Sequence, residues 1–418
     1  MAQQYTVHTF PNGLRIIHLP SVSPVSYCGF AVNAGTRDEN AAQSGLAHFV
    51  EHMLFKGTQR RKSWHILNRM ENVGGELNAY TTKEETFIYS VCLANDIERA
   101  MELLSDLVFN SRFPDTEIDK EREVVIDEIN SYRDNPAELI FDEFENLLFR
   151  GNEFGHSILG DEASLNTFTS TSCHAFVKAF YHPENMVFFF YGQTPFNKIV
   201  RLAERYCVAS FGQQFHPQSS NGQLQAKTRI TPQLVPAVKE KREKNLHQAH
   251  LIIGSQGFSL HDPRRIGLYF LNNLLGGPGM NSRLNLTLRE KYGLVYTVES
   301  GLGSYSDTGV FDIYFACDPH NMARCTALVH KELKKLRDNA LTTSQFHTAV
   351  KQLKGQLGVA SEHKESIALG MGKSFLHFNK YDSLEDVYRK IDALSPAQLQ
   401  AIAQEVWDEN RLFQLAFV

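Results

Sequence analysis

The stretch GLAHFVEHMLFKGT, which begins at Gly45, places two histidines and a glutamate inside an otherwise apolar run. On a helix, residues three and four apart share one face. His48 and His52 are four apart, and Glu51 lies three after His48. Two imidazoles at that spacing can converge on one metal ion, with the carboxylate beside them available as a base. Zinc suits imidazole and carboxylate donors, and a catalytic zinc site needs three protein ligands and an open position. A lone histidine on an apolar helix face is commonly a satisfied core residue, but three polar groups together are costly to bury without a partner. The stretch supplies two ligands and a base, so a third ligand must come from elsewhere.

An acid on another helix would complete the set. KEREVVIDEINSY offers Glu121, Glu123, Asp127 and Glu128. Glu121 and Glu128 are seven apart and share a face, with the apolar Val124 and Val125 between them, whereas Glu123 and Asp127 point elsewhere, toward solvent. Glu128 is the candidate third ligand. Glu121, two turns earlier, is placed to orient a ligand histidine. The competing reading of this run is an ordinary solvated acidic face.

These residues need a scaffold, and its elements are legible. YTVHTF and LRIIHL flank a Pro-Asn-Gly turn at Pro11–Gly13 and form a hairpin signal, with SYCGFAVNAG as a third strand. Helical stretches follow through GLAHFVEHMLF and SWHILNRMENVG, then strands ELNAYTT and FIYSVCLA. NDIERAMELLSDLVFN has apolar residues at helical spacing, and a long helix runs from about Asp115 to Tyr132, stopping before Asn135-Pro136. Between about Phe211 and Glu240 the chain turns polar and proline-containing, the texture of a linker. After it the same order begins again. RIGLYFLNNLLGG parallels SGLAHFVEHMLFKG and sets Tyr269 against His48, Asn272 against Glu51 and Asn273 against His52. This is an internal duplication with a period of a whole domain. The second copy keeps the apolar pattern without the polar trio, which favours chemistry over packing as the reason for the trio.

A chain of 418 residues suggests two domains, placed at 1–213 and 239–418 with a linker at 214–238. Hydrophobic residues make up 42% and charged residues 21%, ordinary values for a globular protein. The net charge of −5, without a sustained basic block, gives no case for nucleic acid. No apolar run approaches ~20 residues, so no membrane span is expected. The N-terminal residues lack the basic and apolar regions of a signal peptide, which points to a cytoplasmic protein. Six cysteines without a Cys-x-x-Cys pair read as free thiols. The acids Asp134, Glu138, Asp142, Glu143 and Glu145 read as a solvated or chamber-lining face, and GGPGMNS at Gly276–Ser282 as a turn.

HFVEH together with EREVVIDEI resembles the pitrilysin (M16) family of inverted-motif zinc peptidases. The best match is to chains of this length, which include the mitochondrial processing peptidase β subunit and bacterial relatives. FPNGLRII, NAGTRDE, GGELNAYTT, YHPENMVFFFYG and LLGGPGMNSRLNLTLREKYGLVY carry the resemblance along nearly the whole chain. The resemblance implies an α+β fold of two homologous domains, each a mainly antiparallel sheet with helices packed on one face. It implies one zinc ion per chain, bound by His48, His52 and Glu128, with Glu51 as general base and Glu121 in support. Asn78 and Ala79, on the strand Glu76–Thr81, would pair with the backbone of an extended, unfolded peptide substrate. Arg289 and Tyr296 of the second domain would contact the substrate carbonyl region. Family geometry further implies a homodimeric clamshell in which Arg289 and Tyr296 serve the partner's zinc. The alternatives are the zinc subunit of a heterodimeric processing peptidase and a non-catalytic scaffold subunit.

Overall fold

The computed structural model describes residues 5–208 and 229–418. They divide into two compact units, each built on one sheet. The first unit's strands are β1 (Thr6–Thr9), β2 (Arg15–Pro20), β3 (Val25–Val32), β4 (Glu76–Thr81), β5 (Thr86–Leu93) and β6 (Met186–Gly192). Their order is β1-β2-β6-β3-β5-β4, and only β2 and β6 run parallel. The central strand β6 reads MVFFFYG and every residue of it is buried, as expected for a strand covered on both faces.

On one face, Phe30, Ile88 and Phe188 meet residues of three helices: α1 (Leu46–Leu54), α2 (Ser63–Glu71) and α3 (Ile97–Asn110). Part of α4 (Asp115–Asp134) joins them through Ile118, Val125 and Ile129. The opposite face, carrying Ile17, Ala31, Phe87 and Phe189, is covered by the helix Lys364–Phe378 through Ala368, Met371, Phe375 and Leu376. That helix is also held by charge. Glu85, just before β5, meets His377 at 2.5 Å and Lys373 at 3.1 Å. Burial alone would raise the Glu85 pKa, but the hydrogen bond from His377 and the charge of Lys373 hold it down at about 2.

The second unit's strands are β7 (Lys239–Arg242), β8 (Ala249–Gly257), β9 (Val295–Ser304), β10 (Gly309–Cys317) and β11 (Phe413–Phe417). Their order, β7-β11-β8-β10-β9, repeats the first sheet without β1, and its one parallel pair, β7–β11, stands where β2–β6 stands. The helix Arg265–Gly276 follows β8 as α1 follows β3. The duplication is therefore present in the topology. The helices Arg265–Gly276, Met322–Asp338 and Pro396–Val406 pack on one face. The helix α5 (Pro136–Leu148) covers the other face, with Ile140 and Phe144 against Ile252, Tyr314 and Leu415.

The units are not contiguous in sequence. Residues Ser361–Ser383 belong to the first, and Asn130–His156 to the second. The expected domains 1–213 and 239–418 assign α5 and the helix Lys364–Phe378 to the other unit in each case. The reason is physical: helical periodicity shows that a face is apolar, not which sheet receives it. Of the expected linker, 214–228 lies outside the described residues, and 229–238 has no regular structure. Each sheet thus carries a helix on its second face beyond those expected on the first. The acids of α5 are partly engaged: Glu143 pairs with Arg242 at 2.5 Å, and Glu145 accepts from the Tyr305 hydroxyl at 2.7 Å. All six cysteines are buried free thiols. Among the described residues no helix is long and apolar enough to cross a membrane.

One buried carboxylate makes the second unit sensitive to pH. Asp312 lies mid-strand in β10, and its Oδ1 has no hydrogen-bond partner. Burial, with the charges of Glu145 and Glu299, pushes its pKa up to about 7, although the Gly301 amide partly counters this. The folded chain therefore binds a proton there that the unfolded chain, with a pKa of about 3.9, releases. The stability that this group contributes is present below pH ~4 and is lost as pH rises toward 7. Asp312→Asn is expected to unfold at higher urea than the parent chain at pH 8, with the difference shrinking by pH 5. Its size is at most about 4 kcal/mol.

Candidate metal centre

The segment before α1 sets that helix in place. Gly45 caps it at φ +91°, in the left-handed region, and a Cβ there would lie 2.6 Å from the Leu159 carbonyl oxygen. The missing side-chain cap is supplied by Glu39, whose carboxylate accepts from the amides of Gly45 (2.8 Å) and Ala47 (2.6 Å). A negative charge at a helix N-terminus is favourable. Two residues earlier, Arg37 forms a fully buried ion pair with Glu84 at 2.8 Å, tying this segment to the β4–β5 connection. The acidic and basic residues of NAGTRDE therefore position α1.

α1 is buried nearly all round, so its polar residues must find partners inside the unit. α4 provides them. Its buried stripe is Ile118, Glu121, Val125 and Ile129, a carboxylate among apolar side chains. Val124 is half-exposed and takes no part in this stripe, while Glu123 and Asp127 face solvent as expected. Glu128 sits beside the stripe, half-buried.

His48 Nε2 and His52 Nε2 lie 3.8 and 3.6 Å from Glu128 Oε2. The imidazole rings are 4.5 Å apart between centroids. These three groups are the one candidate metal-holding cluster among the described residues. The separations are too long for hydrogen bonds and close to the roughly 3.3 Å edge of a tetrahedron of ligands about zinc. The donor set, two imidazole nitrogens and a carboxylate, fits such an ion.

The surroundings support that use. His52 Nδ1 meets Glu121 Oε1 at 2.9 Å, which leaves Nε2 facing Glu128. Lys56 reaches the other Glu121 oxygen at 2.5 Å. Burial works against the charge on His52, but the hydrogen bond to Glu121 and the nearby carboxylates outweigh it and raise its pKa. Glu121 is held low for the matching reason: its bonds to His52 and Lys56 overcome burial. Burial, reinforced by the charge of His52, lowers His48 to about 3, so it is the neutral imidazole that a metal requires. His48 Nδ1 is buried without a partner. Burial raises the pKa of Glu51, and the Thr81 hydroxyl donates to its Oε2 at 3.0 Å.

Thr81 sits at the end of β4, the edge strand of its sheet. Strand alternation puts Leu77, Ala79 and Thr81 on the α1 side and Asn78 on the other; Ala79 packs on the core, and Asn78 Nδ2 lies 3.4 Å from Glu76 Oε2. Sequence reasoning assigned a role at the site to neither Lys56 nor Thr81, beyond placing Thr81 at the end of the strand. Period-two counting from Ala79 and period-four counting from His52 place them on the faces of those residues, but not against Glu51 and Glu121.

Two family models match: one described as insulinase (peptidase family M16) over residues 16–162, and one described as the peptidase M16 inactive domain over residues 167–353. An uncharacterized zinc protease of Streptomyces coelicolor is 32% identical over 95% of this chain and 86% of its own length. Another, from Rickettsia bellii, is 31% identical over 98% of this chain and 97% of its own. The chain belongs to peptidase family M16. A solved Helicobacter pylori protease superposes with a TM-score of 0.88 at 20% identity, over 100% of both chains. A Pseudomonas fluorescens structure described as a peptidase M16 inactive domain gives 0.88 over 99% of this chain and 98% of its own. In this M16 chain the 16–162 match contains His48, Glu51, His52 and Glu128, and the inactive-domain match contains Tyr269, Asn272 and Asn273.

In the second unit, Asn272 is buried and donates to the Ser300 carbonyl of β9 at 3.2 Å. Beside it Arg289 and Tyr296 line a cleft of about 440 Å³ together with Tyr269 and the Gly276–Met280 loop. The Arg289 guanidinium lies 5.5 Å from the Tyr296 ring centre, and Tyr296 is 80% exposed. The structure thus brings these two expected residues together and leaves the tyrosine open to a binding partner.

Glu121→Gln keeps all three donor residues but weakens the charge-assisted bonds that orient His52. Zinc affinity, measured by competition with a chelator, is expected to fall by roughly 10- to 100-fold.

Proposed function

We propose that this chain is a zinc-dependent endopeptidase acting on extended, unfolded peptides. The observation that carries the reading is the convergence of His48, His52 and Glu128 beside the buried carboxylate Glu51, under the edge strand β4. His48, His52 and Glu128 would hold one zinc ion. Zinc supplies a Lewis acid that polarises the peptide carbonyl and makes water a better nucleophile near neutral pH.

The chain's own groups do the rest. Glu51 takes the proton of the attacking water and passes it to the leaving amine. Its raised pKa suits a group that must both accept and give up a proton. The Thr81 hydroxyl fixes one of its carboxylate oxygens, so the other is free for that exchange. The substrate adds as a further strand along β4, with Asn78 and Ala79 nearest the bond to be cut. Main-chain pairing of this kind selects for unfolded chains over folded ones. Tyr296, with Arg289 beside it, hydrogen-bonds the carbonyl oxygen as negative charge develops there. We assign the assembly as a homodimer in which these two residues serve the partner's centre. The exposure of Tyr296 and the presence of both halves in one chain support this.

Glu51→Gln is expected to keep its zinc by elemental analysis while peptide turnover falls by roughly 10²- to 10⁴-fold. Turnover at the parental rate rules out the base assignment. Mixing the Glu51→Gln and Arg289→Ala variants tests the assembly. A homodimer that shares residues in trans regains peptidase activity that neither variant shows alone, and no recovery refutes it.

A further inference from the structure

A second concave site lies in the first unit, along α2 and the start of α3, and no residue of the metal centre lines it. Its volume is about 270 Å³. Arg60, Arg61, Arg69 and Arg99 line it with Trp64, His65 and two asparagines, and no acidic residue does. Such a wall is unexpected on a chain whose net charge is −5.

The four arginines divide into two pairs. Arg61 and Arg69 are held from behind: Arg61 bonds Asp106 at 2.5 Å and also Glu102, and Arg69 meets Glu102 at 3.2 Å. Asp106 is itself buried and accepts from the Thr58 hydroxyl at 2.7 Å. These guanidiniums are fixed in place and their charge is largely matched. Arg60 and Arg99 pair with no carboxylate among the described residues; Arg99 donates to the Arg69 carbonyl at 2.9 Å. Two positive charges are therefore left over, on a floor whose remaining N–H donors are already oriented. Guanidinium groups so arranged match the oxygens of phosphate.

One wall is aromatic. The Trp64 and His65 rings stack 3.6 Å apart at an angle of 28°, and Trp64 is 59% exposed. His65 stacks on the indole, no other ring meets Trp64 among the described residues, and a flat ring exposed beside cations is a platform for another planar group. The cavity is slightly smaller than those that enclose drug-sized ligands, roughly 300 to 1,000 Å³. It would seat a pair of phosphates and leave a ring on the open, aromatic side.

We propose that this pocket binds a nucleotide, with its phosphates between Arg60 and Arg99 over the Arg61–Arg69 floor and its base against Trp64. Acidic peptide side chains would satisfy the arginines but leave the aromatic wall unused. The assignment is independent of the peptidase reading, because it involves neither the histidines nor Glu51.

Intrinsic fluorescence reads this site directly. The chain has two tryptophans, and the other, Trp407, is fully buried in the second unit. Titrating the full-length protein with ADP is expected to quench Trp64 saturably, with pyrophosphate competing more weakly and adenosine not at all. The Arg60→Gln/Arg99→Gln double variant is expected to weaken ADP binding at least ~10-fold. An unchanged thermal midpoint and unchanged zinc content would show that it remains folded. Followed by calorimetry, Trp64→Leu should weaken ADP and leave pyrophosphate as it was. Absence of saturable quenching, or quenching indifferent to the double variant, overturns the proposal. Pyrophosphate binding as tightly as ADP, or a tetraglutamate peptide quenching as strongly, overturns the nucleotide assignment.

Discussion

Glu121 is a carboxylate buried in the apolar stripe by which α4 packs into the first unit, and it keeps its charge because His52 and Lys56 both reach it. A buried carboxylate without partners would cost several kcal/mol or take up a proton. Two charge-assisted bonds, both from the α1 side, offset that cost. They do three things together. They bring α4 against α1, they turn His52 so that Nε2 faces Glu128, and they carry Glu128, two turns further along α4, to the two imidazoles. Losing the Glu121 bonds would therefore disturb the helix contact and the donor geometry at once.

The other end of α1 is controlled by a separate set of charges. Glu39 caps the helix, and the buried Arg37–Glu84 pair ties the segment before it to the β4–β5 connection. β4 is thereby held beside α1, close enough for Thr81 to reach Glu51. The strand that would receive a peptide and the carboxylate that would act on it share one mechanical frame. Packing density alone would not give this precision, since apolar contacts have no direction. The hydrogen bonds supply the direction.

The second unit shows what the same frame does when it is released from metal binding. Its sheet repeats the strand order and the parallel pair, and its equivalent of α1 is an ordinary buried helix with Asn272 bonded to β9. The polar trio is dispensable to the fold, which is why the degenerate copy is informative about the intact one. Its cleft holds asparagines where the first unit has its histidine and glutamate, together with Arg289, Glu299 and the exposed Tyr296. Duplication followed by divergence has left one donor-rich copy and one donor-poor copy in a single chain.

Much of this was legible in the residues. The spacing of His48, Glu51 and His52, the seven-residue interval from Glu121 to Glu128, the duplication, and most strands and helices follow from local periodicity, which is a property of sequence. Four things were not legible. Val124 and Val125 look alike in the sequence, and only the packing direction of α4 buries one and exposes the other. The roles of Thr81 and Lys56 depend on which element lies opposite, and their residue types carry no such signal. The assignment of α5 and the helix Lys364–Phe378 to the sheets they cover, and the nearness of four arginines in one pocket, are likewise long-range outcomes. Sequence alone determined which donors the chain owns and which helix faces they occupy, because those depend on backbone geometry within a few residues. The tertiary structure decided which of them meet, because that depends on which apolar surfaces bury one another across the whole chain.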